Sequence, residues 1–182
     1  MRRIIALLVM SCFVAGTFAK VPVTGNKIRL TDNWEFLRQD VGNIWELVRP
    51  IKKGQPEEQP IWTKVTLPHC FNAEDAVDPD LNYYQGPGWY KTRLKLDNPY
   101  PDGRMVLEFE GAGQKTDVYV YMTKVGSHVG GYDSWNVDIT DAVRAFLASK
   151  DAERFGGEIP LSIRCDNTRD AEMIPSDLSD FN

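Results

Sequence analysis

The stretch Trp89-Tyr90-Lys91-Thr92-Arg93-Leu94-Lys95-Leu96 decides the fold class, because apolar and charged side chains alternate along it. A period of two is typical of a β-strand with one buried face. One segment, 140–147, has a helical spacing instead, and Thr140-Asp141 is its predicted cap. Many short strands between Gly, Pro and Asn turns predict an all-β protein, an antiparallel jelly-roll β-sandwich. The other predicted strands are 27–31, 33–37, 61–67, 105–110, 117–121, 135–139 and 159–165.

Length and charge exclude several classes of protein. A chain of 182 residues with 42% hydrophobic residues is long enough for one domain with a core of its own. It is too short for a (β/α)₈ barrel, which needs about 250 residues. A formal net charge of -5 argues against nucleic acid as a partner, because phosphate backbones attract basic surfaces.

The first 19 residues have the pattern of a secretory signal peptide. Arg2 and Arg3 precede an apolar run over 4–10, and the small residues Thr17 and Ala19 form a cleavage site. The apolar run is too short for a membrane span. We therefore expect a mature domain over 20–182 that is secreted or periplasmic.

The three cysteines leave two alternatives open. Cys12 follows Val9-Met10-Ser11, which resembles a bacterial lipobox, so a lipid anchor is an alternative to simple export. Cys70 and Cys165 remain after cleavage, either as a disulfide in an oxidising compartment or as free thiols in apolar positions.

Motifs for catalysis are weak in this chain. The run 111–116 (GAGQKT) has Gln114 where a phosphate-binding loop needs glycine, so it is a turn between strands. The run 78–82 (DPDLN) starts like a calcium loop, but Tyr83 replaces the required glycine. Glu108 and Glu110 alternate with apolar residues, which places them on the solvent face of a strand. We predict no catalytic residue in this chain.

Seven ordered motifs resemble the sugar-binding domain of glycoside hydrolase family 2, the β-galactosidase and β-glucuronidase family. The sequences of these motifs are most similar to those of secreted β-galactosidases. The motifs are LPHCFN at 67–72, NYYQG at 82–86 with GWYK at 88–91, FEGA at 109–112, DVYV at 117–120, HVGGY at 128–132, DITD at 138–141 and IRCDN at 163–167.

This resemblance implies a galactose-binding-like jelly roll that precedes an immunoglobulin-like domain and a catalytic barrel. The two catalytic glutamates belong to the barrel, so we expect the present chain to be an accessory domain without hydrolytic activity of its own. The implied partners are a β-galactoside-like carbohydrate and the catalytic domain of the same enzyme. The resemblance assigns Asp166 to a sugar and a cation, monovalent or divalent, in the complete enzyme, and Asn82 to a sugar hydroxyl.

The remaining motif residues are expected to be structural. His69 is interpreted as a buried hydrogen-bonding anchor, and Gly130-Gly131 as a pair that permits close packing or positive φ. Tyr121-Met122 stands where the family has Asn-Gly, so we expect a longer hairpin loop through 123–124. The other structural residues are Trp89, Tyr90, Glu110, His128 and Tyr132.

The C-terminal end raises one more expectation. Relatives continue past Asn182 into a further strand, so the sandwich is expected to lack its closing strand. A stand-alone lectin-like module and an inactive gene fragment are the alternatives to a glycosidase domain. Within the family, β-glucuronidase and β-mannosidase are the alternatives to β-galactosidase.

Overall fold

The computed structural model describes residues 27–50, 60–96 and 102–169. The predicted signal peptide, Cys12 and the segments 51–59, 97–101 and 170–182 lie outside the described residues. The described part contains eight strands and three short helices, and every strand pairing is antiparallel. The predicted all-β sandwich is therefore confirmed.

The larger sheet has six strands in the order β2-β1-β3-β8-β5-β6. Its centre is the pair β3–β8, which runs from Pro87 opposite Asp166 to Leu94 opposite Ile159. These two strands have eight residues each, and the strands flanking them are shorter. The strands are β1 (Trp34–Leu37), β2 (Thr63–Val65), β3 (Pro87–Leu94), β5 (Lys115–Val120), β6 (Thr123–Val129) and β8 (Ile159–Asp166).

A second sheet of two strands, β4 (Val106–Phe109) and β7 (Trp135–Asp138), forms the other layer. The two layers approach closely at Gly126 of β6. A Cβ atom at this glycine would lie 2.9 Å from Val137 Cγ2, which is closer than real side chains pack. A glycine is therefore required where the two sheets meet.

The core lies between the sheets and follows the period of two. On β8, Leu161, Ile163 and Cys165 point inwards, and on β5 Val118 and Val120 do the same. Removing such apolar surface from water stabilises the fold by roughly 25 cal/mol per Å².

Three short helices complete the fold: α1 (Trp45–Val48), α2 (Thr140–Leu147) and α3 (Asp151–Arg154). The predicted helix α2 is confirmed, and it buries Val143 and Phe146. The N-cap is Ile139, one residue before the predicted Thr140-Asp141, and Asp138 Oδ1 accepts the N–H of Thr140 at 2.9 Å. Hydrogen bonds from Thr140 lower the pKa of Asp138 to about 2. Within the described ranges the longest helix has eight residues, too few to cross a membrane.

The hairpin between β5 and β6 corrects one expectation. Val120 lies opposite Thr123, so Tyr121 and Met122 alone form the turn, and the expected longer loop was wrong. Tyr121 adopts φ 53°, which is unfavourable for a bulky residue. Tertiary contacts offset this cost: its N–H donates to Pro160 O at 2.7 Å, and its ring packs 5.1 Å from that of Phe146. Strand β6 itself was absent from the sequence prediction.

The predicted strand 27–31 is also wrong. This segment is held by side chains rather than by a strand ladder, because Lys27 Nζ lies 2.7 Å from Glu108 Oε2 and Arg29 Nη2 lies 2.5 Å from Glu110 Oε1. Leu30 O accepts the indole N–H of Trp34 at 3.0 Å, which occupies a carbonyl that a ladder would use.

Candidate functional site

The predicted sugar contact Asp166 ends β8, and the register of the sheet brings several loops to this end. Pro87 at the start of β3 and Lys115 at the start of β5 both lie opposite Asp166. The loop after β1 reaches the same place, since Leu37 lies opposite Trp89. We call this region the polar edge; it comprises residues 38–43, 70–87 and 164–168.

One guanidinium joins two carboxylates at the polar edge. Arg164 Nη2 lies 3.3 Å from Asp40 Oδ2 and 3.1 Å from Asp166 Oδ2. The side chain of Arg164 is 23% exposed and that of Asp166 15%, so both are largely removed from water. The indole nitrogen of Trp89 approaches Asp40 Oδ1 at 3.5 Å. The charge of Arg164 thus allows two acidic side chains to lie at one sheet edge.

Asp166 also closes a tight turn. Its Oδ1 accepts hydrogen bonds from the N–H of Thr168 at 2.9 Å and from the Thr168 hydroxyl at 2.6 Å. Burial opposes ionisation of Asp166, but the Thr168 bonds and the charge of Arg164 outweigh it and hold its pKa below the usual value. Both carboxylate oxygens are therefore engaged within the chain, and contact of Asp166 with a sugar stays a prediction.

Asn82 has different surroundings from Asp166. It is exposed in the loop between β2 and β3, beside the half-exposed ring of Tyr83. Within the residues that the structure describes, no hydrogen bond occupies its amide. Its contact with a sugar hydroxyl therefore also stays a prediction.

A pair of asparagine side chains ties the loop to the end of β8. Asn167 Nδ2 donates to Asn72 Oδ1 at 2.7 Å and to Tyr84 O at 2.9 Å. Asn167 Oδ1 accepts the N–H of Gly86 at 2.8 Å. Asn72 Nδ2 in turn donates to Asp75 Oδ2 at 2.8 Å and to Tyr84 O at 2.9 Å. We call these five residues the amide network.

The single charge of the amide network is buried and paired. The side chain of Asp75 is 1% exposed, and Arg38 Nη1 lies 2.7 Å from its Oδ1 and 2.9 Å from its Oδ2. The N–H of Tyr84 donates to the same carboxylate at 3.0 Å. The hydrogen bonds from Arg38 and Tyr84 lower the pKa of Asp75, so the carboxylate is ionised at neutral pH.

His69 contacts aromatic side chains and is not part of the amide network. Its Nδ1 lies 2.9 Å from the hydroxyl of Tyr90, and its ring centroid is 4.9 Å from that of Phe36. Burial lowers the pKa of His69, so the neutral imidazole is favoured at pH 7. Burial likewise raises the pKa of Tyr90, which stays protonated.

The two described cysteines are free thiols, so the disulfide alternative is not formed. Cys165 points into the core between the sheets, whereas Cys70 is exposed in the loop after β2. Burial raises the pKa of Cys165 to about 11, and the buried thiol behaves as a small apolar group.

Comparison with known proteins identifies the family of this fold. Residues 32–149 match the family described as "Glycosyl hydrolases family 2, sugar binding domain". The match covers more than half of the 182 residues. The chain belongs to glycosyl hydrolase family 2.

Relatives of this family 2 domain are much longer proteins. The chain is 32% identical to a putative β-glucuronidase of Formosa agariphila, over 85% of this chain and 16% of that protein. It is 77% identical to the solved β-glucuronidase of Parabacteroides merdae, with a TM-score of 0.80, over 86% of this chain and 20% of that one. The solved β-glucuronidase 3 of Bacteroides uniformis is 68% identical, with the same TM-score and coverage. The chain thus spans one fifth or less of these relatives.

A second cluster of family 2 motif residues lies where β6 ends. His128 Nε2 lies 3.0 Å from Asp133 Oδ2, and its ring stacks 4.7 Å from that of Trp135. Gly130 has φ 144°, and a Cβ there would lie 2.4 Å from Asp133 Oδ1. Glycine therefore leaves room for the His128–Asp133 pair. Its neighbour Gly131 also lies between β6 and β7, where its carbonyl approaches the 111–113 turn.

The structure does not bring all predicted motif residues together. Glu110 forms its ion pair with Arg29 on the surface of the smaller sheet. Tyr132 is 99% exposed, whereas Trp89 and Tyr90 are buried on opposite faces of β3. Of these residues, only Trp89 reaches the polar edge, through Asp40.

Two charged side chains lie beside Asp166, to which the resemblance assigns a cation in the complete enzyme. They are Asp40 and Arg164, whose guanidinium offsets one of the two carboxylate charges, so binding of a cation at Asp166 stays a prediction. In the described ranges, no group of three His, Cys, Asp or Glu side chains is arranged to hold a metal ion.

Sequence reasoning assigned no role to Arg38, Asp40, Asp75 or Arg164. Asn72 and Asn167 belong to two of the family motifs, but the motifs alone predict no hydrogen bonds for them. The available signal was their residue type: asparagine next to a strand end often hydrogen-bonds nearby backbone groups. One partner of Asn72, Asp75, is only three residues away, but the other partners of the two asparagine side chains are 12 to 95 residues away, so the pairing requires the fold.

Proposed function

We propose that this chain is the sugar-binding accessory domain of a β-glucuronidase. The observation that carries the proposal is the 77% identity to the β-glucuronidase of Parabacteroides merdae over 86% of this chain. The β-glucuronidase 3 of Bacteroides uniformis, at 68% identity, supports the same activity. The putative β-galactosidase of Bacteroides fragilis is 24% identical and supports the fold alone.

The polar edge is compatible with this proposal. Asn82 and Tyr83 are exposed and offer an amide and a ring, which are the groups that bind a sugar hydroxyl and a sugar face. Arg164 offsets one of the two carboxylate charges of Asp40 and Asp166, so the pair repels an anionic sugar less strongly than two unpaired carboxylates would. The hydrolysis itself is assigned to the rest of a longer enzyme.

A domain exchange tests the proposal. Residues 27–169 replace the equivalent segment of the Parabacteroides merdae β-glucuronidase, and hydrolysis of p-nitrophenyl β-D-glucuronide and of the β-D-galactoside is measured. We expect the chimaera to retain kcat/KM for the glucuronide within about tenfold of the parent enzyme, about 1.4 kcal/mol in transition-state stabilisation.

The control chimaera carries the equivalent segment of the Bacteroides fragilis putative β-galactosidase, and we expect it to lose this activity. A folded but inactive first chimaera would contradict the proposal. The 182-residue chain alone is expected to hydrolyse neither glycoside. Calorimetric binding of galactose or glucuronate to the chain alone would favour the lectin-like alternative.

We further propose that residues 1–19 direct export of this domain. Support comes from Arg2-Arg3, the apolar run over 4–10 and the small residues Thr17 and Ala19. Expressed in a bacterium, the chain is expected to give a periplasmic product that begins at Lys20, as measured by mass spectrometry. A product that begins at an acylated Cys12 would favour a lipid anchor, and an unprocessed cytoplasmic chain would contradict export.

A further inference from the structure

The loop between β2 and β3 carries the exposed Asn82 without any helix or strand of its own. Every residue from 76 to 83 is exposed, so packing does not hold this segment in place. A long loop in one conformation needs anchors at both ends. The amide network supplies these anchors: Asn72 and Asp75 precede the exposed segment, and Tyr84 and Gly86 follow it.

The amide network is fully hydrogen-bonded, which fixes the orientation of both asparagines. Each hydrogen of the Asn167 amide has its own acceptor, Asn72 Oδ1 or Tyr84 O, and its oxygen accepts from Gly86. A flipped amide would place an oxygen against Tyr84 O and Asn72 Oδ1, which are both acceptors. A network without a free donor or acceptor specifies one arrangement of the groups that it joins.

Both ends of the loop are tied to the rest of the sandwich. Asn167 follows the last residue of β8, so its amide links the loop to the central strand of the larger sheet. Arg38, just after β1, reaches the loop through Asp75 and also donates to Phe71 O at 3.2 Å. The position of the loop is thus set by two strands of the same sheet.

We propose that Asn72, Asp75 and Asn167 are positioning residues, which hold the loop so that Asn82 and Tyr83 contact the sugar at the polar edge. None of the three is assigned a contact with the sugar itself. The identity of the ligand rests on the proposed function, whereas the anchoring of the loop does not.

The anchoring is tested in the 182-residue chain with Asn167→Asp. The carboxylate keeps an acceptor for Gly86 but loses both donors and faces the oxygens of Asn72 and Tyr84. We expect amide hydrogen exchange at Tyr84 and Gly86 to accelerate about tenfold more than at the core residues Val118 and Ile163. The matched control is Asn136→Asp, the same change at an exposed position of β7, which is expected to alter neither group of amides.

The effect on sugar binding is tested in the chimaera described above. We expect Asn167→Asp to raise KM for the glucuronide about tenfold while kcat changes less than about twofold, because the loop binds sugar and does not perform the chemistry. Asn167→Ser, which shortens the side chain without adding charge, replaces Asn167→Asp if that variant does not fold.

The possible failures are distinguishable. Equal acceleration at loop and core amides would contradict the anchoring, because it would report global destabilisation only. A mobile loop with an unchanged KM would contradict the contact between the loop and the sugar. An inactive chimaera before any substitution would contradict the proposed function and leave the exchange result to decide the anchoring.

Discussion

Replacement of Trp89 by alanine is expected to lower the free energy of unfolding by about 3–5 kcal/mol, the usual range for a large aromatic side chain removed from a packed site. Trp89 is 2% exposed although it lies on the face of β3 opposite to the core residue Tyr90. Its ring packs 5.7 Å from that of Tyr119, and its indole nitrogen approaches Asp40. The substitution would therefore open a cavity beneath the loop after β1.

The measurement is chemical denaturation of the 182-residue chain and its variants. The control is Tyr132→Ala, because Tyr132 is 99% exposed and its loss is expected to change stability by less than about 0.5 kcal/mol. Trp89→Phe keeps most of the ring volume and is expected to fall between the two. Equal effects at positions 89 and 132 would contradict this packing.

The second large effect is expected for Arg164→Met, which removes the cation between Asp40 and Asp166. We expect a loss of about 2 kcal/mol at pH 7, less than for a fully buried pair because the Asp40 side chain is 46% exposed. This corresponds to a fall in Tm of about 4–8 °C. The control is Arg93→Met, whose guanidinium is mostly exposed and 3.8 Å from Glu158.

The pH dependence of Arg164→Met has a defined sign. In the native chain the pKa values of Asp40 and Asp166 are lowered, so their contribution to stability is present above the unfolded pKa and is lost as the pH falls below it. Without Arg164, burial and mutual repulsion raise both pKa values relative to those of the native chain, although the Thr168 bonds to Asp166 remain. The variant therefore loses less stability than the native chain as the pH falls.

The difference in Tm between the native chain and Arg164→Met should therefore narrow as the pH falls from 7 through the carboxylate range, at about pH 4 and below. Comparison at each pH cancels the contribution of His69, whose lowered pKa affects both proteins alike. A difference in Tm that stays constant or widens as the pH falls to about 4 would show that the ionisation of the two carboxylates does not depend on Arg164.

Local patterns predicted the strands that carry the core. The alternation along 89–96 and 159–165 predicts β3 and β8 because a strand with one buried face needs a period of two. The helical spacing over 140–147 predicts α2 in the same way. Strand β6 was missed because its burial is irregular, with Val125 and Gly126 both half-buried next to a bulge.

The candidate site was predictable only in part. The family motifs predicted Asp166 and Asn82 as sugar contacts. A motif does not predict which hydrogen bonds its residues form. Thr168 and Arg164 engage both oxygens of Asp166, whereas the amide of Asn82 has no hydrogen-bond partner among the residues that the structure describes.

The sequence by itself determined the all-β class, the family and the side of β3 to which each residue belongs. It placed Trp89 and Tyr90 on opposite faces, because successive side chains of a strand alternate. Only the tertiary structure decided that both are buried, at 2% and 6% exposure. The same holds for Asn72 and Asn167, which lie 95 residues apart and meet through one hydrogen bond. Alternation is a local property of the backbone, whereas the burial of a second face and the closing of a polar network depend on distant segments that the fold brings together.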